Sequence, residues 1–312
     1  MKYNLWPKPK ISIFRSAHYS DAERVVSNRW RSNSYPVLVS SARLGLALIL
    51  RAKGLGRCDN VDIYPLISPC VSKTISSVSM INNRFPKSNN DWKIIYHQYG
   101  FIQKTKYSHK LIEDAVDSLC MPDAKIFPNG GEFEVWSLPK IISSFSGAII
   151  WCKSEDDASK IKFLRDQNKK DKKLSWLLRF IGHYSKNIYY FWEGIEIYRN
   201  ASLPSFAIGE IIEKIESIDP IIEDRIKKVE LMRSFICDNL YLSNDRLPSL
   251  IPIFNTCSTN LLKIRKAGFD VSIRNLVMQQ AGNVRIKPFI PLPIHQNVPV
   301  DLIYELFETI EK

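Results

Sequence analysis

The stretch that most restricts this chain runs from Gly130 to Trp151, GGEFEVWSLPKIISSFSGAIIW. Phe133 to Ser137 and Ala148 to Trp151 are rich in β-branched and aromatic residues and bounded by turn residues, as strands are. Between them a turn is expected at Pro139–Lys140, followed by a link containing Gly147. Lysine is almost always exposed, so Lys140 taken alone reads as a solvated turn residue. Two further stretches change that reading. Trp92 to Tyr96 predicts a buried strand running into His97-Gln98-Tyr99-Gly100, and Leu111 to Asp114 predicts another that ends in two acids. An acid at the carboxyl end of a strand lies where open α/β sheets bind ligands.

The rest of the chain alternates short apolar strands with helices, the pattern of an α/β fold. Pro36 to Val39 predicts a strand. Ser40-Ser41 then precedes ARLGLALILRAK, whose Leu and Ile positions suit a largely buried helix over Ala42 to Lys53. Serine is a favoured N-cap, and Gly54 and Gly56 end the helix. A helix that starts directly after a strand presents its first backbone N–H groups to an anion. Val61 to Tyr64 predicts a strand stopped at Pro65, Val71 to Val78 a short helix, and Arg84 to Asp91 a polar turn. About ten residues separate Gly100 from Leu111, a trimmed parallel crossover. Glu155 to Asp166 reads as a helix that opens with acids and ends near Arg165, matching the helix dipole. Residues 167 to 207 are basic and aromatic, with no element assigned. Ile208 to Leu240 has helical spacing broken at Pro220. A short apolar segment at Ile251 to Phe254 and a helix at Thr259 to Ala267 follow. The chain closes on a strand and an amphipathic helix that starts near Val298–Pro299. Residues 1 to 35 are expected to form an N-terminal arm, 36 to 207 a large domain, and 208 to 312 a linking helix and a small C-terminal α/β domain.

Three of these segments carry a resemblance. HQYG, LIED and LPKIISSFSGAII resemble, in order, a His-x-Tyr/Phe-Gly strand end, an Ile-Glu-Asp strand end and a lysine followed by a glycine-led strand. That series is found in the PLP-dependent sugar aminotransferases, the DegT/StrS family of the type I aminotransferase fold. Gly147 falls seven residues after Lys140, where the family's first strand glycine falls. GLGRCDNVDIYP, DPIIEDRIKKVELMRSFI and the C-terminal LPIH turn are similar to further family segments, so the likeness spans roughly residues 36 to 312. It implies a three-layer α/β sandwich with a mostly parallel sheet, plus a small C-terminal domain. It also implies a cytoplasmic homodimer that uses pyridoxal 5'-phosphate (PLP). The reaction implied is transfer of an amino group from an amino-acid donor, glutamate, to a nucleotide-linked keto sugar. Such enzymes serve bacterial surface polysaccharide biosynthesis, O-antigen included.

Carried over residue by residue, the resemblance makes Lys140 the lysine that takes the cofactor and Asp114 the carboxylate beside its pyridine nitrogen. Ser41, Ala42 and Ser137 would hold the phosphate, and Asp117 joins the cofactor-binding set. Arg43 either neutralises phosphate charge or lies on the helix surface, and His97 is either catalytic or a hydrogen-bonded structural residue. A lysine in this role must lose its proton, and a partly buried position near other cations is expected to lower its pKa. The chain also departs from the family. Asp117 stands where Gln or His is usual, and Leu66-Ile67-Ser68-Pro69 where a ring-stacking aromatic is usual. Val135 replaces a serine five residues before the lysine, and Ile197 replaces an Asn that the partner subunit usually supplies. These losses motivate an alternative, a catalytically degenerate homologue retained as a structural or regulatory partner. Lys140 and Asp114 together favour the enzyme, since a chain freed from catalysis needs neither.

Bulk properties exclude other classes. A formal charge of +12 favours anionic ligands. The densest basic run, Lys169-Lys170-Asp171-Lys172-Lys173, reads as a solvated loop, and no nucleic-acid fold motif accompanies it, so no nucleic-acid partner is expected. No run of eighteen apolar residues exists, so no membrane span is expected, and the N-terminus lacks a secretory h-region. The six cysteines have neither metal nor disulfide spacing and read as buried thiols in a reducing compartment.

Overall fold

A computed structural model describes residues 2–9, 15–82, 91–167, 172–182, 185, 187–189, 191–192, 202–232, 245–280 and 283–310. The turn at 84–90, most of the lysine run, Ile197 and Cys237 lie outside the described residues.

The strands are β1 (Tyr35–Val39), β2 (Asn60–Ile63), β3 (Met80–Asn82), β4 (Trp92–Tyr96), β5 (Leu111–Asp114), β6 (Leu119–Cys120), β7 (Phe133–Ser137) and β8 (Ala148–Cys152). β9 (Arg246–Leu247), β10 (Leu250–Ile253), β11 (Arg274–Gln280) and β12 (Asn283–Pro293) follow. The helices in the first part are α1 (Tyr19–Arg29), α2 (Ala42–Ala52), α3 (Pro69–Ser76), α4 (Leu138–Ile142), α5 (Glu155–Gln167) and α6 (Lys172–Gly182). In the second part they are α7 (Ser205–Glu216), α8 (Asp219–Leu231), α9 (Ser258–Lys266) and α10 (Val300–Ile310).

Seven strands form one sheet in the order β1-β8-β7-β5-β4-β2-β3. All its neighbours pair in parallel except β8, which runs antiparallel to both β7 and β1. β4, β5 and β8 are wholly buried, as expected when helices cover both faces. Alternation assigns the faces. Val37, Val39, Val135 and Ile150 pack with α2, α3 and α5, while Leu38, Trp136, Ile149 and Trp151 pack with α1 and α7. α2 buries Leu44 through Leu50 without a break. Each fully buried Leu or Ile there contributes about 1.5–3 kcal/mol. A second sheet, β10-β12-β11, is antiparallel, and β6 and β9 form a ribbon. Arg246 of that ribbon is buried against Glu134 of β7, with contacts of 2.7 and 3.0 Å.

The expected three-layer architecture and mostly parallel sheet are present. Four local expectations differ. The N-terminal arm contains a full helix, α1, whose low mean hydropathy hides it; its partner α7 lies far along the chain. The Pro139–Lys140 turn is a helical turn, α4, with proline in its first positions and Ser143 at φ 58° beyond it. α6 and β11 occupy stretches with no assigned element. Cys120 and Cys152 are buried, but Cys58 and Cys257 are exposed and Cys70 is half-buried.

Candidate active site

The carboxyl ends of β4, β5 and β7 lie side by side, with Asp114 in register with Tyr96 on one side and Val135 on the other. α4 follows β7 directly and carries Lys140 over the end of β5. The return into β8 is made by Gly147 at φ 103°, where a Cβ would stand 2.6 Å from Ile211 Cδ1. A glycine is therefore required at this position.

Lys140 Nζ donates to Asp117 Oδ1 at 2.8 Å. The other oxygen of Asp117 accepts from the Tyr96 hydroxyl and, at 3.2 Å, from Tyr99 N. Asp114 is buried, and its carboxylate accepts from Val116 N at 3.3 Å. Burial pushes the Asp114 carboxyl up to about 7; Lys140 counters this and the neighbouring Asp117 adds to it. Burial also opposes the charged form of Lys140, but the Asp117 and Asp114 carboxylates outweigh it and hold the amine above its ordinary value. This corrects the expectation of a lowered lysine pKa. The group that decides the sign is Asp117, the residue that departs from the family pattern.

Both side chains open onto one cavity of about 650 Å³. Ser41, Ala42, Arg43 and Ser137 line it, as do Lys140 and Asp114. Asp117 lies behind Lys140 and is almost fully buried. Ser41 is the N-cap of α2, its Oγ accepting from Leu44 N at 3.2 Å. Helix geometry leaves the first-turn N–H groups without acceptors inside the helix. Arg43 lies in that turn, its guanidinium 5.0 Å from the Trp192 ring centre. His97 is outside the cavity. It is fully buried, with Nε2 3.0 Å from Glu113 Oε2 and Nδ1 accepting from Gln103 N at 3.1 Å, so it is a structural residue.

Sequence reasoning missed several lining residues. Trp6, Asn4 and Lys8 come from the N-terminal segment, and the Trp6 ring centre is 4.3 Å from Lys140 Nζ. Arg179 of α6 and Tyr189 come from the stretch without assigned structure. A conspicuous signal existed only for Trp6, an aromatic residue flanked by prolines and lysines.

The residues present fit PLP. They offer a lysine amine facing a cavity, a buried carboxylate lining it, and a helix N-terminus for a phosphate. A family model described as "Putative PLP-dependent aminotransferase" matches residues 23–312. Among curated proteins none matches the sequence. Solved structures share the fold. Aminotransferase TlmJ from Streptoalloteichus hindustanus is 12% identical with a TM-score of 0.63, over 99% of this chain and 100% of that one. Helicobacter pylori PseC, an aminotransferase involved in the biosynthesis of pseudoaminic acid, is 12% identical with a TM-score of 0.62, over 98% and 97%. A DegT DnrJ EryC1 StrS aminotransferase from Brucella abortus is 9% identical with a TM-score of 0.62, over 96% and 91%. The chain belongs to a family of PLP-dependent aminotransferases and is built on the fold of the DegT/DnrJ/EryC1/StrS enzymes.

Proposed function

We propose that this aminotransferase moves an amino group from an amino-acid donor, glutamate, onto a keto sugar carried by a nucleotide, for a bacterial surface polysaccharide. The observation that carries the reading is the meeting of Lys140, Asp114 and the α2 N-terminus at one cavity. When bound, PLP supplies an aldehyde for covalent attachment and a ring that accepts electrons. Lys140 would be the attachment point and the group that moves the substrate proton. Its amine is positioned by Asp117, 2.8 Å away. Asp114, whose carboxyl is pushed up to about 7, would share a proton with the ring nitrogen. Ser41, Ala42, Arg43 and Ser137 would orient the phosphate. Trp6 and the flanking prolines would keep water from the amine. The sugar substrate is supported by the fold likeness to PseC, and an anionic nucleotide by Lys8 in the cavity's lining. A homodimer is part of the proposal, as twofold assemblies are the commonest. A concentration-independent monomer mass would refute that part.

Borohydride trapping with peptide mapping tests the site. PLP is expected on Lys140 and is lost in Lys140→Ala. Asp114→Asn should retain trapped PLP while slowing the glutamate half-reaction severely. PLP trapped on another lysine would move the site. No trapping in the wild type at saturating cofactor would favour the degenerate homologue, a reading to which the engaged Lys140–Asp117 pair lends some weight.

A further inference from the structure

We propose that Arg179 of α6, with Arg43 beside it, grips the phosphate of the cofactor, so that one chain supplies the cationic side of the phosphate cup. This inference rests on the reading of Lys140 as the cofactor lysine. Arg179 lines the same cavity as Ser41, Ala42, Arg43 and Ser137. Its Nη1 donates to Ser40 O at 3.1 Å, which brings the guanidinium to the residue preceding the α2 N-cap. The hydroxyl of Ser40 is itself buried without a hydrogen-bond partner.

Arg43 and Arg179 approach the same aromatic ring. Their guanidiniums lie 5.0 and 4.8 Å from the centre of Trp192. Trp192 is buried and donates to Ser175 Oγ of α6 at 3.3 Å, so the platform is fixed. α6 is fixed in turn by Trp176, which packs against Phe145 and Phe206 at 5.9 and 4.8 Å. Glu210 feels the charge of Arg179; its Oε1 accepts from Lys214 Nζ at 2.8 Å and from Phe145 N at 3.0 Å, while its Oε2 is buried without a hydrogen-bond partner. Two guanidiniums are thus gathered at the start of a helix on a cavity wall. A dianionic phosphate offers both of them charge-assisted hydrogen bonds and relieves their mutual repulsion. The donor's carboxylate is the competing occupant.

The test titrates wild type and Arg179→Gln with PLP and with pyridoxal, which lacks the phosphate, reading Lys140 attachment by absorbance and borohydride trapping. The wild type is expected to prefer PLP strongly. Arg179→Gln should weaken PLP binding by roughly ten- to a hundredfold while leaving pyridoxal binding unchanged. Arg179→Lys should retain part of the preference. Inorganic phosphate should promote pyridoxal attachment in the wild type and not in Arg179→Gln. Equal loss for both aldehydes, or no loss for either, overturns the inference, as does a loss confined to glutamate. If Arg179→Gln does not fold, Arg179→Lys decides, and equal weakening of both aldehydes by it overturns the inference. A wild type that traps neither aldehyde on Lys140 removes the underlying reading and this one with it.

Discussion

Glu113 and Asp114 are neighbours at the end of β5, yet they live in opposite surroundings. Successive strand residues face opposite sides of a sheet. Glu113 accepts from His97, from Asn129 N and Nδ2 and from Gly131 N, at 2.9 to 3.2 Å. A Cβ on Gly131 would come within 2.9 Å of this carboxylate, so the glycine lets the backbone close on it. Burial alone would raise the Glu113 pKa, but these bonds hold it below its ordinary value. Asp114 accepts from the Val116 backbone and has a second carboxylate nearby, and its pKa is raised to about 7. The saturated acid is a fastening between two strands and a loop. The under-bonded acid faces a cavity, where its remaining capacity is available to a ligand.

Three changes would break or sharpen this contrast. The largest is expected from Glu113→Ala, which leaves His97 and the 129–131 backbone without their acceptor. A loss of about 3–5 kcal/mol in urea unfolding is expected. A change below about 1 kcal/mol would erase the distinction, because such small values belong to solvated pairs. Asp114→Asn should act with the opposite sign. Native Asp114 keeps a proton that the unfolded chain releases above its ordinary pKa of 3.8. Between about pH 4 and 7 the cofactor-free wild type should therefore lose stability relative to Asp114→Asn, by at most about 1.4 kcal/mol per pH unit. Glu113, with its lowered native pKa, contributes stability above 4.5 that is lost as the pH falls through its native value. Matching unfolding curves for wild type and Asp114→Asn over pH 4–8 would show that Asp114 is ordinary. The smallest change is expected from Asp117→Asn. Removing the counter-charge of Lys140 raises its uncharged fraction, so PLP attachment at neutral pH should speed up several-fold and its pH midpoint should fall. An unchanged midpoint would mean that Asp117 does not govern the amine.

The sheet was legible because strand ends carry their own punctuation: Pro65, the LIED acids and the Lys140-to-Gly147 spacing. α2 was legible from its cap and its unbroken Leu and Ile run. α1 was not, since His18 to Arg29 is mostly polar and its burial depends on α7, nearly two hundred residues on. α6 follows a lysine run that reads from sequence as a solvated loop, and that reading hides the apolar face formed by Trp176 and Phe180. At the site, Lys140, Asp114, Ser41, Ala42, Arg43 and Ser137 were all named from strand ends and the resemblance, and the fold gathers them at one cavity. What escaped was pairing. That Asp117 reaches Lys140, or that Trp6 covers it, depends on side chains brought together across the fold, which spacing along the chain does not encode.

The Trp6 segment is also tied down from far away. Tyr3 N donates to Gly268 O and Asp270 N to Tyr3 O, both at 2.8 Å, and His295 donates to Asn4 O across 291 residues. Among the described residues, the segment is thus fastened by stretches far along the chain. Until residues 268–295 have emerged, these bonds cannot form, and that side of the nascent site is without them. Domains fold N-terminal first during synthesis. In this molecule the sheet and its lysine can be in place while the wall beside them waits for residues 268–295, and a chain stopped short of residue 268 would lack these ties on the Trp6 segment.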